Sequence, residues 1–546
     1  MIDIKLSPCT AHPHSSKEHA TYEMRNSFAT MPAMTYALTI TERALHQIMN
    51  ELTAHQNRII SCYAGLSRLP NRVEFLVHST RYILSQDDAI LRVAASSNIS
   101  HLAAICLDML NQQSNSMTLC LAIGTGEALG NIAAMCQMPD GVKPLNTLTI
   151  IGAGLPRITL HPRTAAAQRQ SVSHITHQDI WSRTIGALGE GTWRRLISLR
   201  IGIVGCGRTG SLIATSLARL GVRHLTLIDH DILEPHNVGE MNGVALDDVG
   251  SAKVEALVKS LPAHSFVDCL ADSALSLPAL IALKQCEFIF CCVDNPSARL
   301  ATAFLAALYL KPFIDIGTGI FVTDQPLSHF SASSSHRPSI ASPPRHRSMG
   351  ADVRLVLPER CLVCFGGIAD LEQACMELME LLEPCASIPT SHPDWREQRA
   401  GSLRSLNTCA VGFALRLLED FVGARIREST WLHLEINDAG IPTIEHRTTP
   451  SNSRCPLCAL AGQGDDGLCR LQSVLDNFLR AHLLAARDPL RCPSLREYRH
   501  DRRLGGNSTH CHQHSGDDLQ QGTTLRSKTL SVGKPRAPGG LHRKVM

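Results

Sequence analysis

No run of eighteen apolar residues occurs anywhere in the 546-residue chain, so a helix crossing a bilayer is not expected. Aromatic residues supply only 4% of the sequence, which leaves aliphatic side chains to fill any core. An excess of one charge sign is also missing, since the formal charge is only +3. That balance argues against strong steering by nucleic acid or an anionic membrane, and neither is expected as a partner. The opening MIDIKLSPCTAHPHSSKEHA has no basic segment followed by an apolar one, so no secretory signal is read there. Cysteine, by contrast, is plentiful at twenty residues. Cys291 and Cys292 lie within an apolar run, and four others form two C-x-x-C pairs. Such usage suits a reducing compartment and a metal, not a disulfide framework, and a cytoplasmic protein of roughly two to four domains is expected.

The most informative stretch surrounds Gly205. Ile201-Gly-Ile-Val204 is a short apolar run, Gly205-x-Gly207-x-x-Gly210 follows, and an amphipathic run from Ser211 to Leu220 leads to a second apolar segment ending on an acid, Leu225 to Asp229. Strand, glycine turn, helix, strand and acid together bring backbone N–H groups and a helix N-terminus against a phosphate, with a carboxylate for a ribose hydroxyl. A Cβ at these glycines would block the turn or hold the phosphate away. The stretch alone does not choose the nucleotide. An NAD(P)-dependent oxidoreductase and a plain structural turn both remain open at this point.

Further apolar runs, Glu287 to Asp294 and Pro312 to Gly317, alternate with helical segments Ala252 to Ser260 and Ser297 to Leu310. This pattern predicts an α/β fold, a Rossmann-like doubly wound and mainly parallel sheet. Functional residues should then gather at the carboxyl ends of the strands, where Gly205–Gly210, Asp229 and Asp294 fall. Ahead of this block, residues 36–163 read as a smaller α+β domain. Its helices are expected at Thr41–Ala54 and His101–Gln112, and its strands at Ile59–Gly65, Arg72–Ser79, Met117–Gly124, Asn131–Gln137 and Leu148–Ile151. Residues 164–200 read as a linker feeding one docking helix, Asp179 to Leu199. Residues 201–465 form the nucleotide-binding domain, interrupted by a Ser/Pro/Arg-rich mobile insertion near 327–350. A helical extension at 466–490 precedes a disordered basic tail at 491–546, and residues 1–35 are also expected to be disordered, with His12-Pro-His14 carrying no metal. Cys361/Cys364 and Cys455/Cys458 provide four thiolates in two knuckles, suited to a closed tetrahedral structural Zn²⁺. An iron–sulfur cluster or free thiols are the alternatives.

The combined order is more specific than the glycines. Asn237 follows Asp229 by eight residues, Lys253 follows Asn237 by sixteen, Asp231 completes Asp-x-Asp, and Asp294 precedes a downstream arginine, Arg299. With the paired cysteines, residues 180–460 resemble the ThiF/MoeB/HesA superfamily of adenylating enzymes. Residues 36–163 loosely resemble the JAB/MPN fold that accompanies a bacterial branch of it, but Leu119 to Gly126 stands where the JAB zinc ligands would be. The resemblance implies ATP as substrate and a small ubiquitin-like or sulfur-carrier protein as partner, activated at its C-terminal glycine by a homodimer. It places Gly205, Gly207, Arg208, Gly210 and Asp229 around the nucleotide, with Asp229 on the ribose. It puts Asn237 and Lys253 on the phosphates, Asp294 on Mg²⁺ with Asp231 in support, and Arg183 on the triphosphate, often across the dimer.

Two positions depart from the pattern. The family has an arginine three residues after the asparagine, where this chain has Glu240, and commonly a glycine where it has Arg208. An acid beside a triphosphate repels it, so Glu240 points away, Arg208 compensates, or ATP binds more weakly. Cys375 is the candidate thioester nucleophile, with Cys385 and Cys409 as rivals; its Leu/Met-rich surroundings also fit a buried structural thiol. A non-catalytic scaffold is the remaining alternative.

Overall fold

A computed structural model describes residues 34–54, 59–79, 89–96, 99–111, 117–124, 132–160, 180–323, 346–368, 370–382, 403–436, 440–448 and 455–487. Of the expected tails at 1–35 and 491–546, all but Met34 and Thr35 lie outside these residues, His12 and His14 included, and Thr35 opens a strand instead of closing a disordered segment.

The first block builds two five-stranded sheets from β1 (Thr35–Thr41), β2 (Ile60–Tyr63), β3 (Gly65–Leu69), β4 (Arg72–Val77), β5 (Ala89–Ser96), β6 (Met117–Gly124), β7 (Ile132–Met138), β8 (Gly141–Pro144), β9 (Thr147–Ile151) and β10 (Arg157–Thr159). One sheet runs β10-β9-β1-β4-β3 and the other β2-β5-β6-β7-β8. They share a core of Leu38, Ile40, Phe75, Leu91, Val93 and Leu121 with Ile48 and Leu52 of α1 (Glu42–Ala54). Helix α2 (Ile99–Asn111) covers the other face of the second sheet through Leu102 and Cys106. The sequence pattern misses β1, β5, β8 and β10, and the run it assigns to one strand, Ile59–Gly65, divides between β2 and β3.

The entry to the second block differs from the single docking helix expected. Two helices form, α3 (Ser182–Leu188) and α4 (Glu190–Ser198), separated at Gly189 with φ +81°. Trp181 Nε1 donates to Arg219 O at 2.7 Å and Trp193 Nε1 to Leu220 O at 3.1 Å. These bonds occupy carbonyls at the end of α5 (Arg208–Leu220) that have no partner within their own helix.

The second block is an eight-stranded sheet of β11 (Arg200–Val204), β12 (His224–Ile228), β13 (Phe266–Leu270), β14 (Phe288–Cys291), β15 (Phe313–Thr323), β16 (His346–Val356), β17 (Thr430–Ile436) and β18 (Pro442–Arg447). Its order is β13-β12-β11-β14-β15-β16-β17-β18. The first five strands are parallel and the last three antiparallel. Chain order 3-2-1-4-5 across the parallel strands is that of a doubly wound sheet, and the order reverses between β11 and β14, the position at which such sheets form a ligand crevice outside the carboxyl ends. Strand β13 escapes the sequence pattern because it is a half-exposed edge strand, Phe-Val-Asp-Cys-Leu. Strands β15 and β16 pair from Phe313↔Val356 out to Thr323↔His346. Residues 346–350, read as part of the mobile insertion, therefore belong to a strand, while 324–345 lie outside the described residues.

The two blocks interlock through buried charge. Lys284 Nζ donates to Asp465 Oδ1 at 2.6 Å and to Arg68 O at 2.9 Å, and Tyr309 Oη donates to Asp465 Oδ1 at 2.8 Å. Glu74 accepts from the Thr39 hydroxyl and from Arg72 at 3.2 Å, beside the buried Lys311.

Candidate active site

Backbone sterics build the glycine turn. Gly205 has φ +86°, and a Cβ there would lie 2.8 Å from Val293 Cγ1. A Cβ on Gly210 would lie 1.9 Å from Gly205 O, whereas one on Gly207 would meet nothing within 4 Å. Two of the glycines thus pack the turn against β14 and the helix start, and the third faces open space. Asp229, just beyond β12, holds the turn from the side. It accepts the Cys206 N–H at 2.7 Å and the Asp231 N–H at 2.9 Å, one on each oxygen. Burial pushes its carboxyl pKa up, and Lys253 and the two N–H donors pull it back only in part.

Lys253 begins α7 (Lys253–Val258) and is 9% exposed. Its Nζ lies 2.6 Å from Asp231 Oδ2, and its backbone N–H donates to Asp231 O at 3.0 Å. Burial opposes its charge, but Asp229, Asp231 and, more weakly, Asp294 raise the ammonium pKa above its ordinary value. The anion that a lysine at a helix start requires is therefore present within the protein. Asp294 is exposed, three residues past β14. Asn237 belongs to the short helix α6 (Pro235–Val238), and its Oδ1 accepts the Glu234 N–H at 2.9 Å. Its amide nitrogen has no acceptor among the described residues. Arg208, the first residue of α5, pairs with Glu240 at 3.4 Å. The crevice thus gathers Gly205–Gly210, Arg208, Asp229, Asp231, Asn237, Glu240, Lys253 and Asp294.

Arg183 is not gathered with them. It is exposed on α3, and neighbouring Trp181 is fixed at the carboxyl end of α5. A helix of 13 residues spans about 20 Å, so Arg183 lies at the end of α5 away from the glycine turn of its own chain.

Arg299, the arginine downstream of Asp294, is largely buried. Its Nε donates to Val293 O at 3.0 Å and Nη2 to Ile316 O at 3.1 Å, and Nη1 lies 3.5 Å from Asp315 Oδ2. It fixes the backbone immediately before Asp294. Arg354 reaches the same Asp315 oxygen at 3.3 Å and donates to Phe365 O at 3.2 Å. The available signal was the position of Arg299, in the first turn of α9 (Pro296–Leu308), the helix after α8 (Leu277–Gln285), where a cation opposes the helix dipole unless it is held elsewhere.

The four paired cysteines converge. Cys361 Sγ is 3.5 Å from Cys455 Sγ and Cys364 Sγ is 3.7 Å from Cys458 Sγ, with all four sulfurs within 4.8 Å of one another. Sulfurs about 2.3 Å from a tetrahedral Zn²⁺ would stand about 3.8 Å apart, so the set fits that ion. Cys375, in α10 (Leu371–Leu382), is fully buried, and burial pushes its thiol pKa up to about 12. In this conformation it is a core thiol with no access to a carrier. Cys409 is exposed on α11 (Arg404–Val422), and Cys385 lies outside the described residues.

Residues 181–333 match the model of the ThiF family. Adenylyltransferase and sulfurtransferase MOCS3 of Bos taurus is 27% identical over 195 residues, 35% of this chain and 41% of that protein. Ubiquitin-like modifier-activating enzyme 5 of Drosophila grimshawi is 28% identical over 124 residues, 20% of this chain and 31% of that protein. The chain thus spans less than half the length of these curated relatives. Among solved structures, E. coli MccB with AMPCPP and MccA aligns at a TM-score of 0.37 and 16% identity, over 52% of this chain and 75% of that one. The fold assignment rests on the strand order described above. The family match opens at Trp181, which anchors the incoming helices, and runs through the glycine turn, Asp229, Lys253 and Asp294.

Proposed function

We propose that this protein is an ATP-dependent adenylyltransferase that activates the C-terminal glycine of a small ubiquitin-like or sulfur-carrier protein in the cytoplasm. A carboxylate oxygen of that glycine attacks the α-phosphorus of ATP. The new bond is carboxyl oxygen to phosphorus, the bond to the bridging oxygen breaks, and pyrophosphate leaves. Two anions must approach, so fixed cations placed where charge develops supply much of the acceleration. The buried, doubly anchored Lys253 beside the glycine turn carries this reading, because its ammonium is held in place before substrate arrives.

In this scheme Asp229 binds the ribose, the amide of Asn237 and the Arg208 guanidinium meet phosphate, and Lys253 neutralises the α-phosphate. Asp294 and Asp231 are the groups that would hold Mg²⁺, which would supply positive charge against the phosphates. Arg183 completes the site from a second copy, and the four-cysteine centre holds structural Zn²⁺. The test is ATP–pyrophosphate exchange with candidate carriers ending in Gly-Gly. Absence of exchange, together with Lys253→Ala binding ATP as tightly as wild type, would overturn the proposal. The Arg208–Glu240 pair supports a second reading, a scaffold that binds a carrier without turnover; carrier binding in the absence of ATP binding distinguishes it.

A further inference from the structure

A second basic site lies at the opposite end of the sheet. Between the two blocks is a cleft of about 530 Å³, lined by Arg72 and Arg157 from the first block and by Arg200, His224 and Glu287 from the amino-terminal ends of β11, β12 and β14. This volume falls within the roughly 300–1,000 Å³ of small-molecule sites. The glycine turn is at the carboxyl ends of the same strands, so the cleft is separate from the crevice described above.

Three guanidinium groups line the cleft against one acid, and that acid is already committed. Glu287 takes Arg157 Nη1 on Oε1 at 3.2 Å and the Arg200 backbone N–H on Oε2 at 3.1 Å. Arg72 gives one Nη2 bond to Glu74, but its buried Nε has no acceptor among the described residues. The Arg200 guanidinium has no acceptor among the described residues. A buried guanidinium N–H without a partner is costly, and planar forks from several directions match carboxylate or phosphate oxygens two at a time.

We propose that this cleft binds a small oxyanion-bearing molecule, a phosphate ester or a polycarboxylate, which bridges the two blocks through Arg72, Arg157 and Arg200. The site does not depend on adenylation at the glycine turn. Calorimetric titration of the full chain with inorganic pyrophosphate and, separately, with citrate tests it. Lys253→Ala serves as the background, because it weakens any binding of pyrophosphate at the glycine turn. One saturable site is expected to survive there, and Arg200→Gln should weaken it about tenfold by removing charge-assisted bonds. Arg72→Gln should do the same. The exposed Arg200, at a strand start, is the safer change for folding. Saturation by pyrophosphate alone assigns the phosphate class, and saturation by citrate alone assigns the carboxylate class. ATP affinity should not change in Arg200→Gln, and failure of ATP to bind wild type would count against adenylation but not against this site. No saturable binding of either probe, or binding indifferent to Arg200→Gln and Arg72→Gln, would overturn the proposal.

Discussion

Lys253 is tied to Asp231 twice, by its ammonium at 2.6 Å from Oδ2 and by its backbone N–H at 3.0 Å from the carbonyl oxygen. The main-chain bond places the start of α7, and the side-chain bond holds the amine among the charges of Asp229, Asp231 and Asp294. The raised ammonium pKa means that this contribution is fully present below the ordinary lysine value of about 10.4. It is lost only as pH rises through the still higher folded value. Lys253→Ala should lower the exchange rate by about 10²–10³-fold and weaken ATP, measured by exchange and by direct nucleotide titration.

Arg208 and Glu240 form a partly exposed pair at 3.4 Å. Incoming phosphate would compete for the same guanidinium, so Glu240→Gln should tighten ATP binding. The gain should be up to about fivefold, corresponding to the ~1 kcal/mol ceiling for such pairs. Arg208→Gly should weaken binding. A Glu240→Gln protein that binds ATP no more tightly than wild type would argue against Arg208 as a phosphate ligand.

Four sulfurs within 4.8 Å of one another would repel as bare thiolates, and a bound metal removes that repulsion. Metal analysis of the purified protein should find one zinc per chain. Cys455→Ser should lose it and lower the melting temperature, because Cys361–Cys364 and Cys455–Cys458 join segments 94 residues apart.

Asp352 predicts an acid-sensitive stability. Burial would raise its pKa, but hydrogen bonds from His433 and Trp431 and the charge of Arg354 hold it well below the carboxylate range. The stabilisation is present above the ordinary value of about 3.9 and fades as pH falls toward the lower folded value. Denaturant melts from about pH 5 to about pH 2 should lose stability in wild type and lose less in Asp352→Asn.

Cys375 and Cys409 should differ sharply toward iodoacetamide at neutral pH. The thiolate is the reactive form, and the Cys375 thiol is buried with its pKa pushed up to about 12, while Cys409 is exposed. Peptide mapping of the native protein should find Cys409 modified and Cys375 protected. Rapid labelling of Cys375 would show that α10 opens readily.

The linear sequence sufficed to locate the glycine turn, the acid after β12 and four of the five parallel strands. Each is encoded within a few residues by apolar runs and by glycines that admit no Cβ. It also paired the cysteines correctly in kind, since C-x-x-C brings two thiols together locally. Only the tertiary structure decided what surrounds them. The anion facing Lys253 comes from Asp231, Arg299 turns inward to Val293 and Ile316, and Cys375 lies in the core. Edge strand β13 and hairpin strand β16 lacked a clean local pattern, because β13 is half exposed and the polar start of β16 is held by pairing with β15. A side chain's type is written in the sequence, but its partner is chosen by which distant segments the sheet brings within hydrogen-bonding reach.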